Sequence, residues 1–116
     1  MRYANCGHLP GLLLRANGDL ERLVATGTVL GLFKEWDCYI EERLLLPGDL
    51  LTLYTDGVTE SLNAAGEEFG ERRLIDALCQ HTHLSPSALL REILNKLQEF
   101  NRSEQQDDIT LIVGKC

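Results

Sequence analysis

The stretch that most constrains this chain is Asp49-Leu50-Leu51-Thr52-Leu53-Tyr54-Thr55-Asp56-Gly57-Val58-Thr59-Glu60. Leu50, Leu51, Leu53 and Tyr54 form a short apolar run after the turn pair Pro47-Gly48, the pattern of a buried strand. The run stops abruptly at Asp56-Gly57, where glycine lets the backbone turn. A carboxylate at that position is held at the end of a sheet yet still reaches solvent or a metal. The remainder of the sequence is therefore to be read for a partner to Asp56.

The chain has 116 residues, enough for a single domain with one core, and a net charge of -7. An acidic balance of that size argues against a nucleic-acid surface, which needs a basic stripe to neutralise phosphates. It is compatible with a carboxylate-rich metal site, although most of the excess is expected on a solvated surface. Cys6, Cys38, Cys79 and Cys116 are scattered and include no C-x-x-C pair, so zinc and thioredoxin-like sites are unsupported. No signal peptide, lipidation motif or membrane-length apolar run is present. The expectation is four reduced thiols in a cytoplasmic protein with no membrane partner. The chain is strand-like from Arg2 onward, as though it begins in the middle of a sheet.

Arg2 to Asn5 reads as a short strand, followed by a turn over Cys6-Gly7-His8-Leu9-Pro10-Gly11. Leu12 to Arg15 and Leu20 to Leu23 flank Asn17-Gly18, a hairpin signal. Thr26 to Phe33 is punctuated by glycines but lacks the G-x-x-x-x-G-K spacing of a phosphate loop. Trp36 to Leu44 alternates as a strand with one polar face, and Pro47-Gly48 is expected to fold it back as a hairpin with the strand at Leu50. Ser61 to Gly70 is a polar loop. Glu71 to Gln80 suits a helix with Leu74, Ile75 and Leu78 on one face. Ser85 is a good N-cap with Pro86 at the first helical position, ahead of Leu89, Leu90, Ile93, Leu94, Leu97 and Phe100 at helical spacing. The polar segment Asn101 to Gln106 then leads to Asp107-Asp108-Ile109-Thr110-Leu111-Ile112-Val113, a buried strand with two aspartates at its start. The predicted fold class is α+β: antiparallel strands layered with helices.

Asp56 ends one strand and Asp107 begins another. If those strands are antiparallel neighbours, both carboxylates reach the same end of the sheet. Two close anions repel unless one is protonated or a cation lies between them. Oxygen donors suit Mg²⁺ or Mn²⁺ rather than zinc. Two such ions about 3.5–4 Å apart can share a water, lower its pKa and clamp a phosphoryl group. Taken alone, an Asp-Gly after a strand is more often a plain turn, and a double aspartate before a strand a solvated cap.

The order Tyr3-Ala4-Asn5-Cys6-Gly7-His8, Leu30-Gly31-Leu32, Leu46-Pro47-Gly48-Asp49, Leu53-Tyr54-Thr55-Asp56-Gly57-Val58-Thr59-Glu60, Phe69-Gly70 and Asp107-Asp108-Ile109-Thr110-Leu111 resembles the SpoIIE/RsbU-like phosphatases. These belong to the metal-dependent (PPM, type 2C) serine/threonine protein phosphatases. The resemblance runs from Tyr3 to about Val113. It implies an αββα sandwich, of which this chain would supply a C-terminal portion, and dependence on Mn²⁺ or Mg²⁺. Asp56 and Asp107 then correspond to aspartates holding the same one of two metals, with Gly57 and Asp108 as possible support. Asn5 and His8 match an N-A-G-H turn, Cys6 standing for the usual alanine and Leu9 for proline. His8 is assigned a structural role in preference to proton transfer.

The family's G-D-x-x-G-x-G-like segment, whose aspartate bridges the metals, is not among these residues. Gly18-Asp19 and Gly48-Asp49 lack the glycines that should follow. A half-site of two carboxylates is expected to bind one ion weakly and to place a bridging water poorly. His81 and His83 lack a third ligand at suitable spacing and read as surface histidines. Two functions follow as expectations. The first is a phosphoserine/phosphothreonine phosphatase of bacterial signalling, acting on a phosphoprotein such as an anti-sigma-factor antagonist. The second is a non-catalytic interaction module on the same fold. In either case an uncovered sheet or helix surface could lead to self-association.

Overall fold

The computed structural model describes residues 1–26, 40–102 and 108–116. The glycine-punctuated stretch at 27–33, positions 36–39 of the strand expected over Trp36 to Leu44 (Cys38 among them), the polar segment at 103–106 and Asp107 lie outside the described residues.

Among the described residues, six strands and three helices follow in the order β1 (Arg2–Tyr3), β2 (Gly11–Leu14), β3 (Leu20–Leu23), β4 (Glu41–Glu42), β5 (Leu50–Tyr54), α1 (Asp56–Thr59), α2 (Gly70–Gln80), α3 (Pro86–Phe100) and β6 (Leu111–Lys115). Four strands form an antiparallel sheet in the order β3-β2-β5-β6, and β1 pairs with β4 in a separate ribbon. This is the expected α+β arrangement. The β2–β3 hairpin sets Leu14 opposite Leu20, and Gly18 at its tip takes φ of 95°, a left-handed turn that glycine adopts without Cβ strain.

The pairing of β4 corrects one expectation. Pro47-Gly48 does make a turn, with Gly48 at φ of 91° and the Asp49 N–H donating to the Leu46 carbonyl at 3.0 Å. It does not fold β4 back onto β5, however: Arg2 lies opposite Glu42 in the ribbon, and β5 sits between β2 and β6. The physical reason is burial. Leu50, Thr52 and Tyr54 are all buried, so β5 needs an apolar strand on each edge, and β2 and β6 supply them where two adjacent glutamates do not.

Leu12, Leu14, Leu50 and Tyr54 of the sheet pack against Leu74, Ala77 and Leu78 of α2 and Leu89, Ile93 and Leu97 of α3. These helix positions recur at three- and four-residue spacing, so each helix turns a single stripe to the sheet. Ile75, expected on that stripe, is only partly buried at its margin, and Ala77 takes the central place. The opposite sheet face carries Leu51, Leu53 and Ile112, with Leu53 and Ile112 exposed. Among the described residues, no helix is long and apolar enough to cross a membrane.

The N-terminus of α3 is built as expected. Ser85 is extended and its hydroxyl accepts from the Ala88 N–H at 3.3 Å, satisfying one of the donors that a helix start leaves without a partner. Ser85→Ala is expected to lower stability by about 1 kcal/mol, and Ser85→Asp to retain it. Urea melts of the two variants measure the difference.

Candidate metal centre

The β5–β6 ladder runs from Leu50 opposite Lys115 to Tyr54 opposite Leu111. These are the two strands whose ends carry the acidic motifs, and they are antiparallel neighbours. Beyond Tyr54 the contact continues. The Thr55 N–H donates to the Thr110 carbonyl at 3.1 Å, and the Thr110 N–H donates to Thr55 Oγ1 at 3.0 Å. The chain then leaves the sheet: Asp56 opens the single turn of α1, and its carbonyl accepts from the Glu60 N–H at 2.7 Å. The sequence reading placed Asp56 at the tip of a strand, whereas it begins this turn.

Gly57 is where the two acidic segments meet. A Cβ built there would lie 2.2 Å from the Asp108 carbonyl oxygen, well inside van der Waals contact. Gly57 is not among the glycines with positive φ, so close backbone approach, not conformational freedom, is what requires it. Asp56 and Asp108 are both exposed. Asp107, the other carboxylate singled out from the sequence, precedes this contact by one residue and lies outside the described residues.

A cleft lined by Gly7, His8, Leu9, Thr55 and Asp56 opens beside the corner. The turn bearing His8 is fixed by Asn5. Asn5 Oδ1 accepts from the His8 N–H at 2.8 Å, and Asn5 Nδ2 donates to the Leu23 carbonyl at 3.2 Å. His8 Nδ1 lies 3.0 Å from the Leu9 carbonyl, an acceptor that selects the tautomer protonated on Nδ1. Asn5 is thus a tether between the turn and β3, and the exposed His8 ring shares the cleft with Asp56.

Below the corner, Tyr54 reads from the sequence as one more apolar strand residue, but its hydroxyl donates to Glu71 at 3.1 Å. Burial, with the negative charge of Glu71, pushes the Tyr54 phenol up to about 12. Arg22 Nε donates to the other oxygen of Glu71 at 2.7 Å. Strand β3, the end of β5 and the first turn of α2 are therefore tied at one carboxylate.

The two Gly-Asp pairs are both occupied structurally. Asp19 closes the β2–β3 hairpin through its carbonyl, which accepts from the Arg15 N–H at 2.8 Å. Asp49 is buried. It accepts from Arg15 Nη1 at 2.7 Å, the Leu46 N–H at 2.9 Å and the Ala16 N–H at 3.1 Å. Unlike Asp49, Asp56 is in no ion pair found among the described residues. Its oxygens are hard donors open to solvent, a chemistry that fits Mg²⁺ or Mn²⁺. Among the described residues, no group of three or more His, Cys, Asp or Glu side chains converges as a metal site. A metal centre at Asp56 would need donors beyond the described residues.

The family model described as Stage II sporulation protein E (SpoIIE) matches residues 1–116. The chain belongs to the SpoIIE family. It is 32% identical over 114 residues to Protein IcfG of Synechocystis, a match covering 97% of this chain and 18% of that protein. It is 33% identical over 113 residues to the phosphoserine phosphatase RsbU of Bacillus subtilis, covering 96% of this chain and 33% of that protein. This SpoIIE-family chain thus spans a third or less of the length of these relatives. Among solved structures, the SiaA-PP2C domain of Pseudomonas aeruginosa superposes with a TM-score of 0.79 at 21% identity, over 99% of this chain and 45% of that one. The PP2C phosphatase domain of SpoIIE from Bacillus subtilis superposes with a TM-score of 0.74 at 19% identity, over 99% and 33% of the respective chains. The fold of this SpoIIE-family chain is that of part of a PP2C-type domain.

Thr55 and Thr110 are the residues of the site that sequence reasoning missed. Both stand inside the T-D-G and D-D-I-T motifs, beside the aspartates.

Proposed function

We propose that this chain is the C-terminal portion of a metal-dependent protein serine/threonine phosphatase domain of bacterial signalling. The observation that supports it best is the β5–β6 pairing, which brings Gly57 of T-D-G against Asp108 of D-D-I-T. Phosphatases of the PP2C type are in general dependent on Mn²⁺ or Mg²⁺. In this reading Asp56 and Asp107 hold the ion, and Gly57 and Asp108 support it by backbone packing. The metal would supply a water activated for attack on phosphorus and a positive charge facing the phosphoryl oxygens. His8 borders the same cleft in a structural role. The substrate is a phosphoserine or phosphothreonine protein, for which an anti-sigma-factor antagonist is the favoured type, and the site of action is the cytoplasm. The likeness to RsbU, and to a Mycobacterium tuberculosis structure described as the RsbU and RsbW domains of Rv1364c, supports a signalling partner in general.

The test is Mn²⁺ binding and turnover by the 116-residue chain. Binding is expected to be weak, and to fall about tenfold or more, ~1.4 kcal/mol, in Asp56→Ala and in Asp107→Ala. Unchanged binding in both variants would sink the metal assignment. Hydrolysis of an aryl phosphate is expected to be slow, because the Gly-Asp pairs within this chain are committed to turns. Rapid Mn²⁺-dependent turnover would show that two carboxylates suffice. The commitment of Asp19 and Asp49 also favours a second reading, a non-catalytic module of the same fold. A folded chain without Mn²⁺ affinity, alone or joined to the rest of its domain, points to that module.

A further inference from the structure

The corner at Thr55 distributes its hydrogen bonds in a way that the strand motif does not foretell. In an antiparallel pair, opposed residues exchange both backbone bonds or neither. One step beyond Tyr54 and Leu111, Thr55 is set opposite Thr110, and its N–H makes one half of such an exchange, at 3.1 Å to the Thr110 carbonyl. The other half does not go to the backbone. The Thr110 N–H donates to Thr55 Oγ1 at 3.0 Å. The Thr55 carbonyl, released from the ladder, accepts from the Val58 N–H at 3.0 Å, the bond that starts the turn of α1. Thr55 is the N-cap of that turn, with φ of -106° and ψ of 166°, yet its side chain makes no bond to its own helix. A threonine at that place ordinarily caps; this one is engaged across the sheet.

We propose that the Thr55 hydroxyl is a positioning group for Asp56. By standing in for its own carbonyl as the acceptor for β6, it lets the chain turn out of the sheet at Asp56 while Thr110 stays paired. The Asp108 backbone is thereby kept against Gly57. Without that acceptor, the Thr110 N–H either loses its partner or recaptures the Thr55 carbonyl. Recapture extends the ladder by one residue and removes the first bond of α1. In both cases the Asp56 carboxylate moves relative to the segment beginning at Asp108. The consequence for metal binding rests on the reading of Asp56 given above; the consequence for the backbone does not.

The experiment compares Thr55→Val, which keeps the shape without an acceptor, with Thr55→Ser, which keeps the acceptor, in the 116-residue chain. Two readouts are taken: amide hydrogen exchange resolved by residue, and Mn²⁺ affinity from paramagnetic broadening at the Gly57 amide. In Thr55→Val the Val58 or Thr110 amide is expected to exchange about fivefold faster, the scale of one net hydrogen bond. Leu53 and Ile112 keep their protection, Mn²⁺ affinity falls by about the same factor, and Thr55→Ser restores both properties. Unchanged exchange at both Val58 and Thr110 in Thr55→Val overturns the proposal. So does an equal change in Thr55→Ser, or full Mn²⁺ affinity in Thr55→Val. If the parent chain itself binds no Mn²⁺, the metal reading fails, and the exchange data alone decide the role of the hydroxyl. If the valine variant does not fold, Thr55→Ser decides, because parent-like protection is required of a role assigned to Oγ1 and not to the methyl group.

Discussion

Gly57→Ala is expected to destabilise the protein by about 2–3 kcal/mol, lowering its melting temperature by about 10–20 °C. The added methyl would stand 2.2 Å from the Asp108 carbonyl oxygen and 3.1 Å from the carbonyl carbon. Both are backbone atoms, so no rotamer change relieves the clash, and the segment entering β6 has to move off α1. Gly11 offers a contrast, since a Cβ there would meet Leu53 Cδ2 at 2.8 Å, the far end of a side chain that can swing aside. Gly114→Ala is the control: a methyl there would have nothing within 4 Å, and a shift of no more than about 2–4 °C is expected. Any Mn²⁺ affinity should fall with Gly57→Ala and survive Gly114→Ala. A Gly57→Ala chain as stable as its parent would falsify the close approach.

Asp49→Asn is expected to produce the second large loss, with a particular pH dependence. The Asp49 carboxylate is buried and accepts from two backbone N–H groups and from Arg15. An amide nitrogen in place of either oxygen would face a donor, leaving buried groups unpaired. The Leu46 N–H, followed by the Arg15 guanidinium, holds the Asp49 carboxyl below its ordinary value of 3.8. Glu21 is likewise lowered, chiefly by its hydrogen bond from Arg43 and then by Arg15. A lowered folded-state pKa contributes stability that is complete above the unfolded value and disappears as pH falls through the folded one. The gap between parent and Asp49→Asn should therefore be widest above the ordinary carboxylate value and narrow as pH falls through the lowered folded-state value of Asp49. Urea titrations across that range give the comparison. A gap independent of pH would mean that the carboxylate charge is not what holds the loop.

The parts of the fold that sequence reading found are those governed by local chemistry. Asn17-Gly18 gave the hairpin because left-handed φ belongs to glycine, and Ser85-Pro86 gave the start of α3 because capping chemistry is local. Partner choice between strands is not local. The turn at Pro47-Gly48 was legible, but whether it returned β4 or dispatched β5 into another sheet depended on which distant strands could cover Leu50, Thr52 and Tyr54. At the site, the T-D-G and D-D-I-T motifs named the segments that meet. The Thr55 hydroxyl, the Tyr54–Glu71–Arg22 link and the Asp49–Arg15 pair were not legible. Each joins residues far apart in sequence by a polar atom on a side chain whose bulk already accounted for its position.

The corner at Thr55 also bears on when the site comes into being during folding. Its bonds close a separation of 55 residues, and everything between, including α1, α2 and α3, lies inside that loop. The αα unit can form early, since its contacts are near in sequence, while joining β6 to β5 awaits the entropically slower closure. Gly57 and the segment from Asp108 therefore meet late, after this long loop has closed. A nascent or partly unfolded chain would hold the T-D-G corner and Asp108 apart, so that on the proposed reading no centre is formed before the sheet closes.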